Sequence, residues 1–430
     1  MKSYVFDIKM LAVLRGSILG LIIKIFAAGM SFLLSVFVAR TLGPAESGLF
    51  FLCFTIVALF AAIGQLGLND SLMRFVSSYH SEGNWGMVKA AYTKALLWAG
   101  LASCFVSALF VCTNTYVEEF LSNQVGLGVV LEICSLAIPL VALYILHAQA
   151  LQGLMQTGNA LMVANVMVPT LMLLAITFLP ISTAIELSYI YVIACALTLV
   201  LARFYWVRYE PSQISRHCFP SRVLADSCLP MWGVTVLGQL AVWSPHLLVA
   251  FIMTSADVAL FSAAQRTSML IALVLLAVNA VTAPRIAALY VSDDISGLRL
   301  LSVWAVRLSL IAALPLLVAM MFIPEYLLGL FGEKFAAAAF PLMIMAIGQL
   351  INAATGSVGY LLSMTGHERV LRFNVLVAAV ISLILSGVLV PYYGVTGGAI
   401  ASAVSISAQN LLGVFQVRRI LGFNTLVFWR

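Results

Sequence analysis

Two cations in this chain sit where a bilayer offers them nothing. Lys24 lies in the middle of "ILGLIIKIFAAGMSFLLSVFVA", residues 18–39, and Arg266 lies in "FSAAQRTSML", residues 261–270. At ~1.5 Å per residue the first run is about 33 Å long, the thickness of a bilayer's hydrocarbon. A charge at the middle of such a helix costs ~2.5–3.5 kcal/mol on insertion scales unless water, a counter-ion or a ligand accommodates it. The chemistry these two residues fit is anion binding. Lysine brings a point charge, and arginine a planar fork of donors that stays protonated. On a helical wheel Ser17, Gly20, Lys24, Ala27, Ala28, Ser31 and Ser35 share one face. Lys24 is therefore expected to line a cavity or a close helix contact, the alternative being a side chain that snorkels to the interface. Gln265, Thr267 and Ser268 make the turn around Arg266 the most polar of its helix. Arg266 holds an anion there, or pairs with Glu132 or with backbone carbonyls.

Lys94 and Arg307 occupy similar places, each a turn or two inside the expected cytoplasmic end of its span. They either snorkel or form a cationic entrance. Arg40 opens the turn "RTLGP", where it caps the preceding helix or touches substrate. Glu132 is the only carboxylate well inside a span. It reads either as a proton-coupling group or as a counter-ion. Gln349, Asn352 and Thr355 follow one another at i, i+3, i+6, and Asn165 and Asn374 hold related places on other spans. These amides are candidates for a sugar-facing wall, the alternative being hydrogen bonds between helices. Pro245 in "WSPHLL" predicts a kink, with His246 beside it as a hydrogen-bonded helix residue.

The elements that must position these side chains are apolar helices. The chain has 430 residues, 63% of them hydrophobic and 9% charged, against about 25% charged in a soluble domain. That composition identifies an integral membrane protein, so the net charge of +6 is not a nucleic-acid signal. Hydropathy places about twelve spans near 16–39, 46–68, 88–112, 127–150, 158–179, 184–207, 229–253, 257–284, 299–323, 336–363, 370–390 and 395–417. The first run is long enough to span and stay, so no cleaved leader is expected. The longest connections are an amphipathic, interfacial stretch, "NDSLMRFVSSYHSEGNWGM", and the central "RYEPSQISRHCFPSRVLAD". With the N-terminus inside, about sixteen Lys and Arg fall on the cytoplasmic side and only Arg40 and Lys334 outside, which predicts that both termini are cytoplasmic. Seven cysteines without a C-x-x-C pair suggest neither a disulfide framework nor a zinc site. There is no nucleotide-binding P-loop, no metal-spaced His/Cys cluster and no nucleophile elbow, so the sequence points away from an enzyme and requires no cofactor or metal.

The two halves repeat. Glu46 and Asp257, Leu49 and Leu260, Phe50 and Phe261, Arg74 and Arg285, and Tyr79 and Tyr290 all stand 211 residues apart. Six spans per half keep both halves in one orientation, which makes a parallel repeat. The expected organisation is a six-helix lobe over 1–207, a cytoplasmic connection over 208–227 and a second six-helix lobe over 228–430.

"VARTLGPAESGLFFL" followed by "IGQLGLNDSLMRFVSSY", and later "ADVALFSAAQRTSMLIALVLLAVNAVTAPRIAALY", resemble the signatures of bacterial polysaccharide flippases of the Wzx type. These belong to the multidrug/oligosaccharidyl-lipid/polysaccharide exporter superfamily, which includes the MATE exporters and the lipid II flippases. The resemblance implies an all-α, MATE-like fold of two lobes around a central cavity. It also implies alternating access that moves an undecaprenyl-diphosphate-linked oligosaccharide from the cytoplasmic to the outer leaflet of a bacterial inner membrane, for O-antigen, capsule or exopolysaccharide synthesis. Lys24 and Arg266, with Lys94, Arg307 and Arg40, would then meet the diphosphate. A proton or another ion would drive transport. A polymerase or glycosyltransferases would be partners, and the transporter would work as a monomer. A multidrug or metabolite antiporter of the same fold is the alternative, and an integral-membrane transferase or polymerase a more distant one.

Overall fold

A computed structural model describes residues 2–120, 126–211 and 219–425. Among the described residues the structure is helical, with no strand. Ten helices are long and apolar enough to cross a membrane. Two of these are pairs. The helix α1 (Lys2–Gly64) breaks at Gly43, whose φ of 72° is left-handed, and Pro44 restarts it at a position that needs no N–H. The 54-residue α15 (Glu368–Leu421) breaks in the same way at Gly394, with φ 54°. Twelve apolar segments result, as hydropathy predicted.

The chain forms two compact units, residues 1–42 with 49–239, and residues 43–48 with 240–430. The division falls inside α9 (Ser221–Ile252), and this helix already includes residues 221–227, which the sequence reading gave to a connecting loop. Arg216 and Arg430 lie outside the described residues. The helix also stays helical through Pro245.

In the first unit, α2 (Leu68–Ser81) is the amphipathic stretch expected from sequence. It buries Leu68, Ser71, Leu72 and Val76 at i, i+3, i+4 and i+8, and leaves Asp70 and Arg74 exposed. It packs on α3 (Trp85–Phe120) and α5 (Ala137–Gly153), the latter preceded by the short α4 (Leu127–Ser135). Tyr92 of α3 stacks on Trp206 of α8 (Ala184–Tyr209), with centroids 3.7 Å apart, and Arg203 donates to the Tyr92 hydroxyl at 3.2 Å. Lys89 pairs with Glu210, which also accepts from the Trp206 indole at 3.1 Å. Between α5 and α8 the predicted fifth span is three pieces: α6 (Thr157–Leu161), a π-helical turn over Met162–Val166, and α7 (Met167–Phe178).

The second unit contains α10 (Ser255–Val291), α11 (Ile295–Phe322), α12 (Pro324–Gly329), α13 (Ala339–Thr355), α14 (Val358–Met364) and α15. The predicted tenth span, 336–363, is not one helix. Gly356, with φ 71°, ends α13, and α14 begins after it. Residues 43–48 belong to this unit, and Gly48 lies against the Ser255 backbone so closely that any side chain would collide with its carbonyl. Asp257, the repeat partner of Glu46, closes a capping box with Thr254 at the start of α10.

Candidate functional site

Inside the second unit α13 and α15 approach closely because Gly348 has no side chain. A Cβ there would stand 2.7 Å from the Ala403 Cα. Beside this contact the helices part around a cavity of about 340 Å³. From α13 it takes Gln349 and Asn352, and from α10 Gln265 and Ser268. From α15 it takes Ser402, Ser405, Gln409 and Asn410. Met269, Met345, Ile406 and Val242 complete an apolar remainder. Among the described residues no ionisable side chain is in this wall. Several of its groups are already held. Asn352 donates to Gln349 Oε1 at 3.1 Å, Ser268 to the Gln265 carbonyl at 2.8 Å, and Asn410 to the Ile406 carbonyl at 2.9 Å. The Ser402 hydroxyl is buried without a partner among the described residues.

Of the amides singled out in the sequence, Gln349 and Asn352 reach this cavity and the other two do not. Asn374 is 1% exposed and donates to Gln416 Oε1 at 2.6 Å, tying together the two halves of α15. Its Nδ2 serves an interhelical bond rather than the cavity wall. Asn165 is exposed on the π-helical turn of the first unit, its Nδ2 reaching back 3.4 Å to the Leu161 carbonyl. Four further wall residues, Ser402, Ser405, Gln409 and Asn410, are not among the sequence-based candidates. Their signal was present in "ASAVSISAQN", where polar side chains recur at i, i+3, i+7 and i+8 on an apolar helix.

The cations fall in both units, and each has its own surroundings. Lys24, in the first unit, is exposed, with Ile22, Ile25 and Phe26 exposed around it, while Gly20, Ala27 and Ser35 turn inward. A Cβ on Gly20 would touch Leu161 of α6, so the small-residue stripe is a helix contact with Lys24 at its rim. Arg266, in the second unit, is half-buried between Gln265 and Thr267 and is not in the wall of the amide cavity. Lys94 is half-buried and donates to the Phe219 carbonyl at 2.6 Å. This fixes residue 219 against α3 and gives the ammonium a protein partner in place of bulk water. Arg307 lies over the Trp304 ring at 5.5 Å, and Arg40 is exposed. Glu132 is exposed on α4 between Val129 and Leu136, and makes no ion pair among the described residues. The buried counter-ion expected as one reading of Glu132 is not what its surroundings provide.

A family described as "Polysaccharide biosynthesis protein" matches residues 13–290. The chain belongs to this family. Among curated proteins, this member of the polysaccharide biosynthesis family is similar to the probable low-salt glycan biosynthesis flippase Agl15 of Haloferax volcanii, 21% identical over 404 residues, which cover 93% of this chain and 82% of that protein. Among solved structures its fold matches an inward-facing multidrug resistance MATE family transporter of the MOP superfamily, with TM-score 0.76 and 13% identity over 94% of this chain and 98% of that one. The lipid II flippase MurJ in an inward closed conformation matches with TM-score 0.75 and 14% identity, over 93% of this chain and 87% of that one. The family member described here is therefore a multi-pass membrane protein with a MATE-like fold.

Proposed function

We propose that the protein is a flippase, not an enzyme, and that it carries a lipid-linked glycan across the membrane for polysaccharide synthesis. The observation that carries this reading is the family match over residues 13–290, joined to a cavity walled by amides and hydroxyls. A carboxylate-lined site would have suited a cationic drug. In this reading the carrier is undecaprenyl diphosphate and movement runs from the cytoplasmic to the outer leaflet of a bacterial inner membrane, with both termini inside. Lys24 and Arg266 supply positive charge that a diphosphate requires on its way through a low-dielectric interior. Alternating access does the moving. A monomer suffices, an ion gradient drives it, and a polymerase or glycosyltransferases handle the glycan on either side.

Cells lacking the chain are expected to lose surface glycan and to accumulate its lipid-linked precursor. Vesicles carrying the purified protein should move that precursor, extracted from the deletion strain, faster than empty vesicles. Unchanged surface glycan together with equal rates in both vesicles would reject the proposal.

Glu132 tests the driving ion. Being exposed and unpaired among the described residues, Glu132→Gln leaves no buried cation stranded, and its membrane level should equal wild type. The amide keeps the shape and loses the titration. Flipping in vesicles with an imposed pH gradient should fall to the rate seen without one. A variant that responds fully to the gradient removes Glu132 from coupling.

A further inference from the structure

We infer that the amide cavity of the second unit binds an uncharged sugar residue of the transported glycan, an assignment that rests on the flippase reading above. The first argument is chemical. Gln265, Gln349, Asn352, Gln409 and Asn410 present both donors and acceptors, as the hydroxyls of a sugar also do. A wall with no charged group among the described residues offers little to a phosphate, which selects cations, or to a divalent metal, which selects carboxylates.

The second argument is that one polar group of the wall is left open. The Ser402 hydroxyl is buried with no partner among the described residues, in a wall whose Gln265 and Gln349 are 7% and 9% exposed. A buried hydroxyl left unsatisfied is unfavourable, so a packed membrane bundle would ordinarily place an apolar side chain at such a position. Polar groups kept around a void are there to be met by something that hydrogen-bonds.

Size is the third argument. A volume of about 340 Å³ lies at the lower end of small-molecule pockets, roughly 300–1,000 Å³. At ~30 Å³ per water that is room for one hexose together with several waters. Met269 and Met345 give the remaining wall flexible, polarisable surface that can follow different ring faces. The cavity thus takes one residue of a longer glycan, and the cations Lys24 and Arg266 are not part of it.

Saturation-transfer NMR on the purified full chain in lipid nanodiscs tests this directly, with the methyl pyranosides of glucose, galactose, mannose and N-acetylglucosamine as probes. At least one should receive saturation. Gln349→Met and Gln409→Met keep side-chain length and remove hydrogen bonding, and each should weaken that transfer roughly five- to tenfold, while Ser296→Ala leaves it unchanged. If a methionine variant melts well below wild type, Ser402→Ala, the loss of one oxygen, replaces it and should still weaken transfer about threefold. Three outcomes overturn the inference: no saturation of any glycoside, transfer undiminished in all the cavity variants, or a sodium-dependent rise in melting temperature that these variants abolish. The flippase reading fails separately, by unchanged surface glycan in cells lacking the chain. Sugar binding in nanodiscs alongside that result would leave the cavity assigned and the transport role rejected.

Discussion

Lys24→Ala and Arg266→Ala are each expected to reduce export of the glycan by about 10–100-fold, the scale of one lost charge-assisted hydrogen bond worth ~1.5–3 kcal/mol. The two differ in what else they should do. Lys24 is exposed among exposed isoleucine and phenylalanine side chains, so its ammonium contributes nothing visible to packing. Removing a cation that costs ~2.5–3.5 kcal/mol at mid-helix should leave the protein at least as abundant in the membrane. Arg266 is half-buried, flanked by Gln265 at 7% and Thr267 at 1% exposure, and its alanine variant opens a gap between them. Some loss of protein is expected there, so export must be normalised to membrane level. Arg266→Lys then separates charge from geometry. If charge alone serves, it retains most export, and if two parallel bonds to a phosphate are required, it behaves as the alanine variant does. Surface glycan at wild-type level in both alanine variants would remove these residues from the mechanism.

Hydropathy and the 211-residue offset were enough to find the twelve segments, because a span must be long, apolar and internally hydrogen-bonded. They could not show where a span bends. "ATGSVG" gives no loss of hydropathy, yet Gly356 turns left-handed there and divides one predicted span into α13 and α14. The same applies to the π-helical turn at Met162–Val166, which lies inside an unbroken apolar run. For the site, the legible part was the α13 stripe, since Gln349 and Asn352 interrupt an otherwise apolar face. The α15 side of the cavity was legible in principle, but serine, the main marker in "ASAVSIS", is common in membrane helices as a small packing residue. Asn374 misled for a physical reason. A lone amide on a helix looks the same in sequence whether it meets a ligand or another helix, and only the position of Gln416 decides between them. Lys94 is a similar case, since its carbonyl partner at Phe219 is 125 residues away in the chain.

The repeat is least exact where the first half breaks its helix, and that break carries the second large effect. The residue 211 after Gly67 is Val278, in the middle of the uninterrupted 37-residue α10. At Gly67 itself the chain turns with φ 70°, following Leu66 at φ 53°, and α2 starts in a new direction. In the turn the Ile63 carbonyl accepts from the Leu66 N–H at 3.1 Å and also from the Trp232 indole of α9 at 3.0 Å. The turn also brings Gly67 against that helix, where a Cβ would stand 2.5 Å from both the Cys228 carbonyl oxygen and the Trp232 nitrogen. Gly67→Ala therefore meets two separate costs of about 1–3 kcal/mol each, left-handed strain and a clash with backbone that cannot rotate away. Gly83 isolates the first, having φ 72° with nothing within 4 Å of its would-be Cβ. Asparagine tolerates the left-handed region better than alanine does, so Gly83→Asn should melt close to wild type and Gly83→Ala slightly lower. At Gly67 asparagine offers no such relief. Both Gly67 variants should lose folded protein or melt far below the Gly83 pair, followed by fluorescence-detected size exclusion after heating in detergent. Equal melting of Gly67→Asn and Gly83→Asn would mean that α2 and α9 do not pack at this turn as the structure has them.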